Sequence, residues 1–374
     1  MKKLKELYSF DDVLIEPSYS NITPKEVNIR TKLSNNIILN TPLVSAAMDT
    51  VTEHSMAIKM SLLGAIGTVH KNLTIDLQCQ EIQKVKTYKV DLQKSKNASI
   101  DDNNNLRVIA AVGTGEEALK RARELLKVNV DLITIDTAHG HSQNVIDTIK
   151  KIKSLSPQIK IIAGNIATKN SAIALLNAGA DTLKVGIGPG SICTTRIISG
   201  VGIPQLSAIT EVAKICKARN SCLIADGGIK FSGDLAKAIA AGADCVMLGS
   251  LLAGTDESPG AIIQMKNIKY KKYRGMGSIK AMKSGSVDRY FQKDKINLVP
   301  QGVEGYVKYK GSIEEIVTQL IGGLTAAMGY TGNKTIKEMK ENCRFVKITS
   351  SAMKESHIHT LDQSESTINY KNTI

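Results

Sequence analysis

Short apolar, β-branched runs recur at even intervals along the chain, each separated from the next by a stretch with helical periodicity. They cover Pro42–Met48, Ala65–His70, Arg107–Gly113, Asp131–Asp136, Lys160–Asn165, Thr182–Gly188, Cys222–Gly228 and Cys245–Ser250. Strands this uniformly apolar are buried on both faces. Eight of them, alternating with amphipathic helices over about 250 residues, predict an α/β fold closed as a (β/α)8 TIM barrel. A doubly wound open sheet shares the alternation, because strand order cannot be read from a sequence. A near-repeat supports the regular build: Leu175-Leu-Asn-Ala-Gly-Ala-Asp181 leads into the sixth run and Ala238-Ile-Ala-Ala-Gly-Ala-Asp244 into the eighth. In both, glycine ends a helix and a strand follows at once.

In this fold, chemistry gathers where the strands end. The ends here are polar and glycine-rich: Asp136-Thr-Ala-His-Gly140, Gly164-Asn165, Ala225-Asp-Gly-Gly228 and Leu248-Gly-Ser250. After the sixth run comes Gly186-Ile-Gly-Pro-Gly-Ser-Ile-Cys-Thr-Thr195. A free cysteine is ordinarily a small buried hydrophobe, but Cys193 stands among glycines and hydroxyls, a setting that suits a nucleophile. Ser191, Gly228, Gly249 and Ser250 would surround one point by the last two strands, the usual phosphate position of the fold. Asp226 next to it could accept hydrogen bonds from a ribose diol. Gly186-Ile-Gly-Pro-Gly lacks the spacing of a dinucleotide-binding fingerprint, with proline where the third glycine and its helix should follow.

With 374 residues, the chain is long enough for a sizeable core. Six cysteines at 79, 193, 216, 222, 245 and 343 form no C-x-x-C pair and no zinc spacing, so a reducing cytoplasm is expected. The opening Met1–Asp12 lacks the apolar core of a signal peptide, and no run of roughly 18 apolar residues could span a bilayer. The balance of 49 Lys+Arg against 35 Asp+Glu raises nucleic acid as a partner. The lysines are scattered, however, and tryptophan is absent, so attraction of phosphorylated metabolites is the simpler reading.

Several motifs in order resemble the inosine 5′-monophosphate (IMP) dehydrogenase family. They are Ser45-Ala-Ala-Met-Asp-Thr-Val-Thr-Glu53, Gly188-Pro-Gly-Ser-Ile-Cys-Thr-Thr195, Ala225-Asp-Gly-Gly-Ile229, Tyr273-Arg-Gly-Met-Gly-Ser278, Asp288-Arg-Tyr-Phe291 and Glu355-Ser-His357. The resemblance covers essentially the whole chain and implies one catalytic barrel over 1–374. Where the family commonly carries a pair of regulatory modules, only the short polar stretch 88–106 stands, expected to be a flexible linker. Residues 279–310, with Gly285, Gly302 and Gly305 and no strong periodicity, are expected to form a mobile flap, and 358–374 a flexible tail.

The resemblance further implies a two-stage reaction with NAD. Cys193 adds to carbon 2 of IMP and hydride leaves for NAD; Thr195, Arg289 and Tyr290 then promote hydrolysis to xanthosine 5′-monophosphate (XMP). Asp226 would hold the ribose, and Ser191, Gly228, Gly249, Ser250 and Tyr273 the phosphate. Gly275, Met276, Gly277 and Gln301 would align the base. Many bacterial relatives carry glutamate at the position of Gln301, so a hydrogen-bonding role carries over and a proton-accepting one does not. NAD is expected on Asp136, Thr137, Ala138, Asn165, Gly186 and Gly188, with Tyr330 from an adjoining subunit of a homotetramer. A potassium ion is expected on carbonyls of Gly188, Gly190 and Cys193, completed by Glu355, Ser356 and His357 of a neighbouring chain. For His357 and His359, transition-metal ligation has no carboxylate or cysteine partner at ligand spacing. Guanosine 5′-monophosphate (GMP) reductase, which uses NADPH, shares the barrel and the Cys-Thr-Thr loop and is the rival reading.

Overall fold

The computed structural model describes residues 4–290, 292 and 297–358. The eight apolar runs all become parallel strands: β1 (Leu43–Ser45), β2 (Ile66–Val69), β3 (Val108–Val112), β4 (Leu132–Asp136), β5 (Lys160–Ile166), β6 (Thr182–Val185), β7 (Cys222–Asp226) and β8 (Cys245–Leu248). They close in sequence order, with Val246 of β8 paired to Leu43 of β1, so the open-sheet alternative is excluded.

Alternation along each strand sorts the core into two. Leu43, Ile133, Ile161, Leu183, Leu223 and Val246 belong to the larger cluster that packs under the helices. Their neighbours Val44, Ile66, Ile109, Leu132, Ile162, Ile224 and Cys245 form a second cluster with Leu33, Ile37 and Leu39. Those three come from a hairpin, Thr31–Ser34 with Ile37–Leu39, which plugs the barrel on the side away from the strand C-termini.

Helices α1 (His54–Leu62), α2 (Ile75–Lys86), α3 (Gly115–Lys127), α4 (Gln143–Leu155), α5 (Lys169–Ala178), α6 (Gln205–Arg219), α7 (Ser232–Ala240) and α8 (Ile313–Thr331) ring the barrel. The near-repeat shows its purpose. Gly179 ends α5 in the left-handed region, at φ +107°, and the aspartate two residues on turns back to the preceding strand. Asp131, Asp181 and Asp244 each accept a backbone N–H from the start of the strand before their own, at Val108 (2.9 Å), Ile161 (2.8 Å) and Leu223 (2.8 Å). Each carboxylate also meets a lysine, Lys86, Lys153 and Lys340 respectively.

The stretch 88–106 runs from α2 towards β3 and buries Ala98, Ser99 and Leu106. The Ser99 N–H donates to the Ser61 carbonyl at 2.7 Å. Between β8 and α8 the chain forms an antiparallel sheet of β9 (Ile263–Met265), β10 (Ile268–Arg274) and β11 (Glu304–Lys308). Residues 275–290 and 301–303, between β10 and β11, reach back over the barrel mouth. Within the expected flap at 279–310, residues 291 and 293–296 lie outside the described residues, as do 359–374 of the expected tail, including His359. No helix among the described residues is long and apolar enough to cross a membrane.

Candidate active site

The loop after β6 is tied to its neighbours before any ligand arrives. Gly186 opens it at φ +151°, where a Cβ would lie 2.0 Å from the Asp226 carbonyl oxygen, so only glycine allows the two strand ends to approach so closely. Downstream, Cys193 bridges Gly302 in antiparallel fashion. The Thr194 N–H donates to the Gln301 carbonyl (3.1 Å), the Val303 N–H to the Ile192 carbonyl (3.1 Å) and the Gln301 N–H to the Gly277 carbonyl (3.0 Å). Segments 275–277, 301–303 and 192–194 thus form one interlocked platform around the cysteine. The half-buried Cys193 thiol donates to Thr195 Oγ1 at 3.2 Å.

Cys193 opens onto a cleft of about 130 Å³ at the C-terminal mouth of the barrel. Its walls bring together Cys193, Thr195, Arg289, Tyr290, Asp136, Ala138, Asn165, Gly186, Gly188, Gly190, Asp226, Tyr273, Gly275, Met276, Gly277 and Gln301. A second cavity shares Asp226 and Tyr273 and adds Ser191, Gly228, Gly249 and Ser250. The cleft and its annex are therefore continuous around Asp226. Burial pushes the Tyr273 phenol up to about 12, against a hydrogen bond with Ser191, so at neutral pH it stands as a protonated donor.

The deepest group is Lys184, 2% exposed on β6. Its ammonium reaches Asp136 Oδ1 at 2.8 Å, Asp226 Oδ2 at 3.1 Å and the Asn165 side-chain oxygen. The Asn165 amide donates to Asp226 Oδ2 and to the Gly186 carbonyl, both at 2.8 Å. Above this network the segment Ile279–Tyr290 folds down as short helical turns. The Arg289 guanidinium pairs with Asp136, and the Ala138 N–H donates to the Arg289 carbonyl at 3.0 Å. Tyr290 packs on Gly277, where a Cβ would sit 2.7 Å from its ring, and burial raises its phenol, so it too stays protonated at neutral pH. Lys71 pairs with Asp288 and donates to the Gly285 carbonyl at 3.1 Å.

Some expected residues stand elsewhere. Thr137 is buried, its hydroxyl donating to the Gly164 carbonyl at 2.9 Å, so its side chain does not face the cleft. Tyr330 lies on α8 and is 73% exposed, outside the cleft of its own chain. Glu355 ends a short C-terminal helix and Ser356 caps it, while the His357 ring packs 6.1 Å from that of Phe231. None of the three lines the cleft of its own chain. Among the described residues, no group of three His, Cys, Asp or Glu side chains gathers to hold a metal.

Two groups escaped the sequence reading. Lys184 sits inside an apolar run, and its signal was a single cation where periodicity allows none exposed. Asp49, within a quoted motif but given no role, forms a two-pronged pair with Arg274, at 3.0 Å from Nε and 2.5 Å from a terminal nitrogen. That pair anchors the 275–277 segment to the loop after β1.

Comparison with known proteins gives this arrangement a context. A family model described as "IMP dehydrogenase / GMP reductase domain" matches residues 7–359. The chain is 50% identical to inosine-5′-monophosphate dehydrogenase of Borreliella burgdorferi, over 96% of this chain and 98% of the relative. It is 45% identical to the enzyme of that name from Cryptosporidium parvum, over 99% of each chain. Against that of Aquifex aeolicus it is 40% identical over an alignment of 482 residues, which covers 99% of this 374-residue chain, so a domain-sized stretch of that relative has no counterpart here. A match running from residue 7 to residue 359, with relatives this similar over nearly their full lengths, makes the chain a member of the IMP dehydrogenase / GMP reductase family.

Proposed function

We propose that this protein oxidises IMP to XMP, with Cys193 as the nucleophile and NAD as hydride acceptor. The observation that carries the reading is the meeting of Cys193, Thr195, Arg289 and Tyr290 in one cleft that continues into a pocket of glycines and hydroxyls. Relatives bearing the dehydrogenase name at 38–50% identity favour it over GMP reduction. Supplying IMP and NAD and following NADH absorbance tests it; turnover of GMP with NADPH instead would reverse the choice.

In the first stage the Cys193 thiolate adds to carbon 2 of the purine, and the hydride on that carbon leaves for NAD, giving a covalent thioimidate. Ser191, Gly228, Gly249, Ser250 and Tyr273 hold the phosphate, Asp226 the ribose, and Gly275, Met276, Gly277 and Gln301 the base. NAD would be held by Asp136, Ala138, Asn165, Gly186 and Gly188, with Thr137 acting through its backbone and Tyr330 of the adjoining subunit at the adenosine end. The carboxylate of Asp136 fits a ribose diol once Arg289 releases it. In the second stage Arg289 and Tyr290 occupy the space beside Asp136, the carboxylate with which Arg289 pairs, and with Thr195 activate water. Water adds to carbon 2 and the thiol leaves, completing XMP.

The potassium site is read from donor chemistry. Carbonyls of Gly188, Gly190 and Cys193 are neutral oxygen donors suited to a hard monovalent cation. Glu355, Ser356 and His357 of a neighbouring copy would supply the rest, which calls for an oligomer, read here as a homotetramer. The chain is taken as a cytoplasmic catalytic barrel in which 88–106 replaces the regulatory pair, 279–310 serves as the flap and the segment after 357 as a tail.

A further inference from the structure

None of the roles above uses Lys184, although it is the cation buried deepest in the cleft. Its three acceptors come from three different strand ends: Asp136 from β4, Asn165 from β5 and Asp226 from β7. An ammonium has three hydrogens, and each finds a partner here. Under the functional reading, its two carboxylates serve different ligands, Asp226 the IMP ribose and Asp136 the NAD ribose. We propose that Lys184 is a positioning residue that couples the two sites: by holding both diol-accepting carboxylates on one ammonium, it makes nucleotide bound at Asp226 tighten dinucleotide bound at Asp136, and the reverse.

Asp136 and Asp226 meet across one ammonium, at 2.8 and 3.1 Å. Two carboxylates facing one cleft repel each other, and a cation placed between them offsets that repulsion. Lys184 is that cation, within hydrogen-bond distance of both. It also holds the Asn165 side chain, whose amide braces Asp226 from the side at 2.8 Å. A diol arriving at Asp226 competes with Lys184 for Oδ2, so the ammonium shifts its share of hydrogen bonding towards Asp136. That carboxylate is then ordered before its own ligand binds, and its ligand pays less ordering entropy. Coupling of this kind is reciprocal by thermodynamic necessity.

The proposal rests on the IMP and NAD assignment, and its test separates the two. In a Cys193→Ser background, which blocks hydride transfer, NAD is titrated calorimetrically with and without saturating IMP. With Lys184 intact, IMP is expected to tighten NAD by about tenfold. Lys184→Met should bring that factor close to one, and Lys184→Arg, which keeps the cation, should retain most of it. Asp136→Asn removes one end of the link by a second route and should also abolish the factor, which covers the case in which Lys184→Met fails to fold. Melting temperatures without ligand report packing separately. A factor unchanged in Lys184→Met or Asp136→Asn overturns the proposal. So does its loss in Lys184→Arg together with a lowered melting temperature, since that marks a packing role. A parent protein that binds neither ligand refutes the functional reading itself; one that binds both with a factor of one refutes only the role of Lys184.

Discussion

The guanidinium of Arg289, carried by a segment outside the barrel, is paired with the carboxylate of Asp136 at the end of β4. One acid of the cleft is thus satisfied by a side chain from outside the barrel. Under the two-stage reading, the ribose of NAD and Arg289 take turns at Asp136. Arg289→Ala should therefore leave the hydride step largely intact and slow hydrolysis by about a hundredfold or more, the usual weight of a general base. A stopped-flow trace should show a burst of NADH matching the enzyme concentration, followed by a slow phase, and intact-protein mass spectrometry should find the nucleotide adduct on Cys193. Equal slowing of both phases would refute the separation of roles.

Cys193→Ser makes the complementary case. The hydroxyl keeps the contact with Thr195 but is a far weaker nucleophile than a thiolate. NADH production should vanish while IMP affinity, assigned under the proposed function to Asp226 and the annex around Ser250, stays within a few fold of the parent by calorimetry. Residual turnover above about one part in a thousand would move the nucleophile elsewhere.

How much of this was visible in the residues depends on the kind of signal. All eight barrel strands were legible, because strands buried on both faces leave continuous apolar runs that a half-exposed strand does not. Cys193, Asp226 and the Gly228–Ser250 cluster were legible because polar residues at strand ends break that pattern at predictable places. Lys184 was not. A lysine two residues before a glycine-rich loop looks like ordinary punctuation, and only the closing of the barrel shows Asp136, Asn165 and Asp226 converging on it. Asp49 and Arg274 are 225 residues apart in the chain, and no local pattern joins them. The roles expected of Tyr330 and His357 involve a second copy of the chain, and neither residue lines the cleft of its own.

The Asp49–Arg274 pair should be measurable as stability. Burial alone would raise the Asp49 carboxyl, but hydrogen bonds from Arg274 and Asn72 outweigh it and hold it below its ordinary value. A depressed folded-state pKa means stability that is present above the unfolded value of about 4 and is lost as pH falls through the folded one. Asp49→Asn should therefore lower the unfolding free energy by about 2 kcal/mol at neutral pH, and the gap to the parent should shrink on acidification below about pH 4. Urea titrations at several pH values check this. A gap that stays constant through the acid range would assign the loss to packing.

Tyr273 offers the opposite sign in the alkaline range. Its phenol, raised to about 12 by burial, remains a donor at pH values where a free tyrosine has ionised, and a phenolate there would repel a phosphate dianion. Tyr273→Phe should weaken IMP binding by about tenfold or more, as expected for a hydrogen bond to a charged group. Because the folded pKa is raised, the advantage of the parent should persist undiminished from pH 7 to about pH 10, where an unperturbed phenol would be half ionised, and should decline only as pH rises towards 12. Calorimetric affinities for IMP of both proteins in the Cys193→Ser background give the ratio directly. A ratio already halved at pH 10 would mean that solvent reaches the phenol, and with it the floor of the pocket assigned to phosphate.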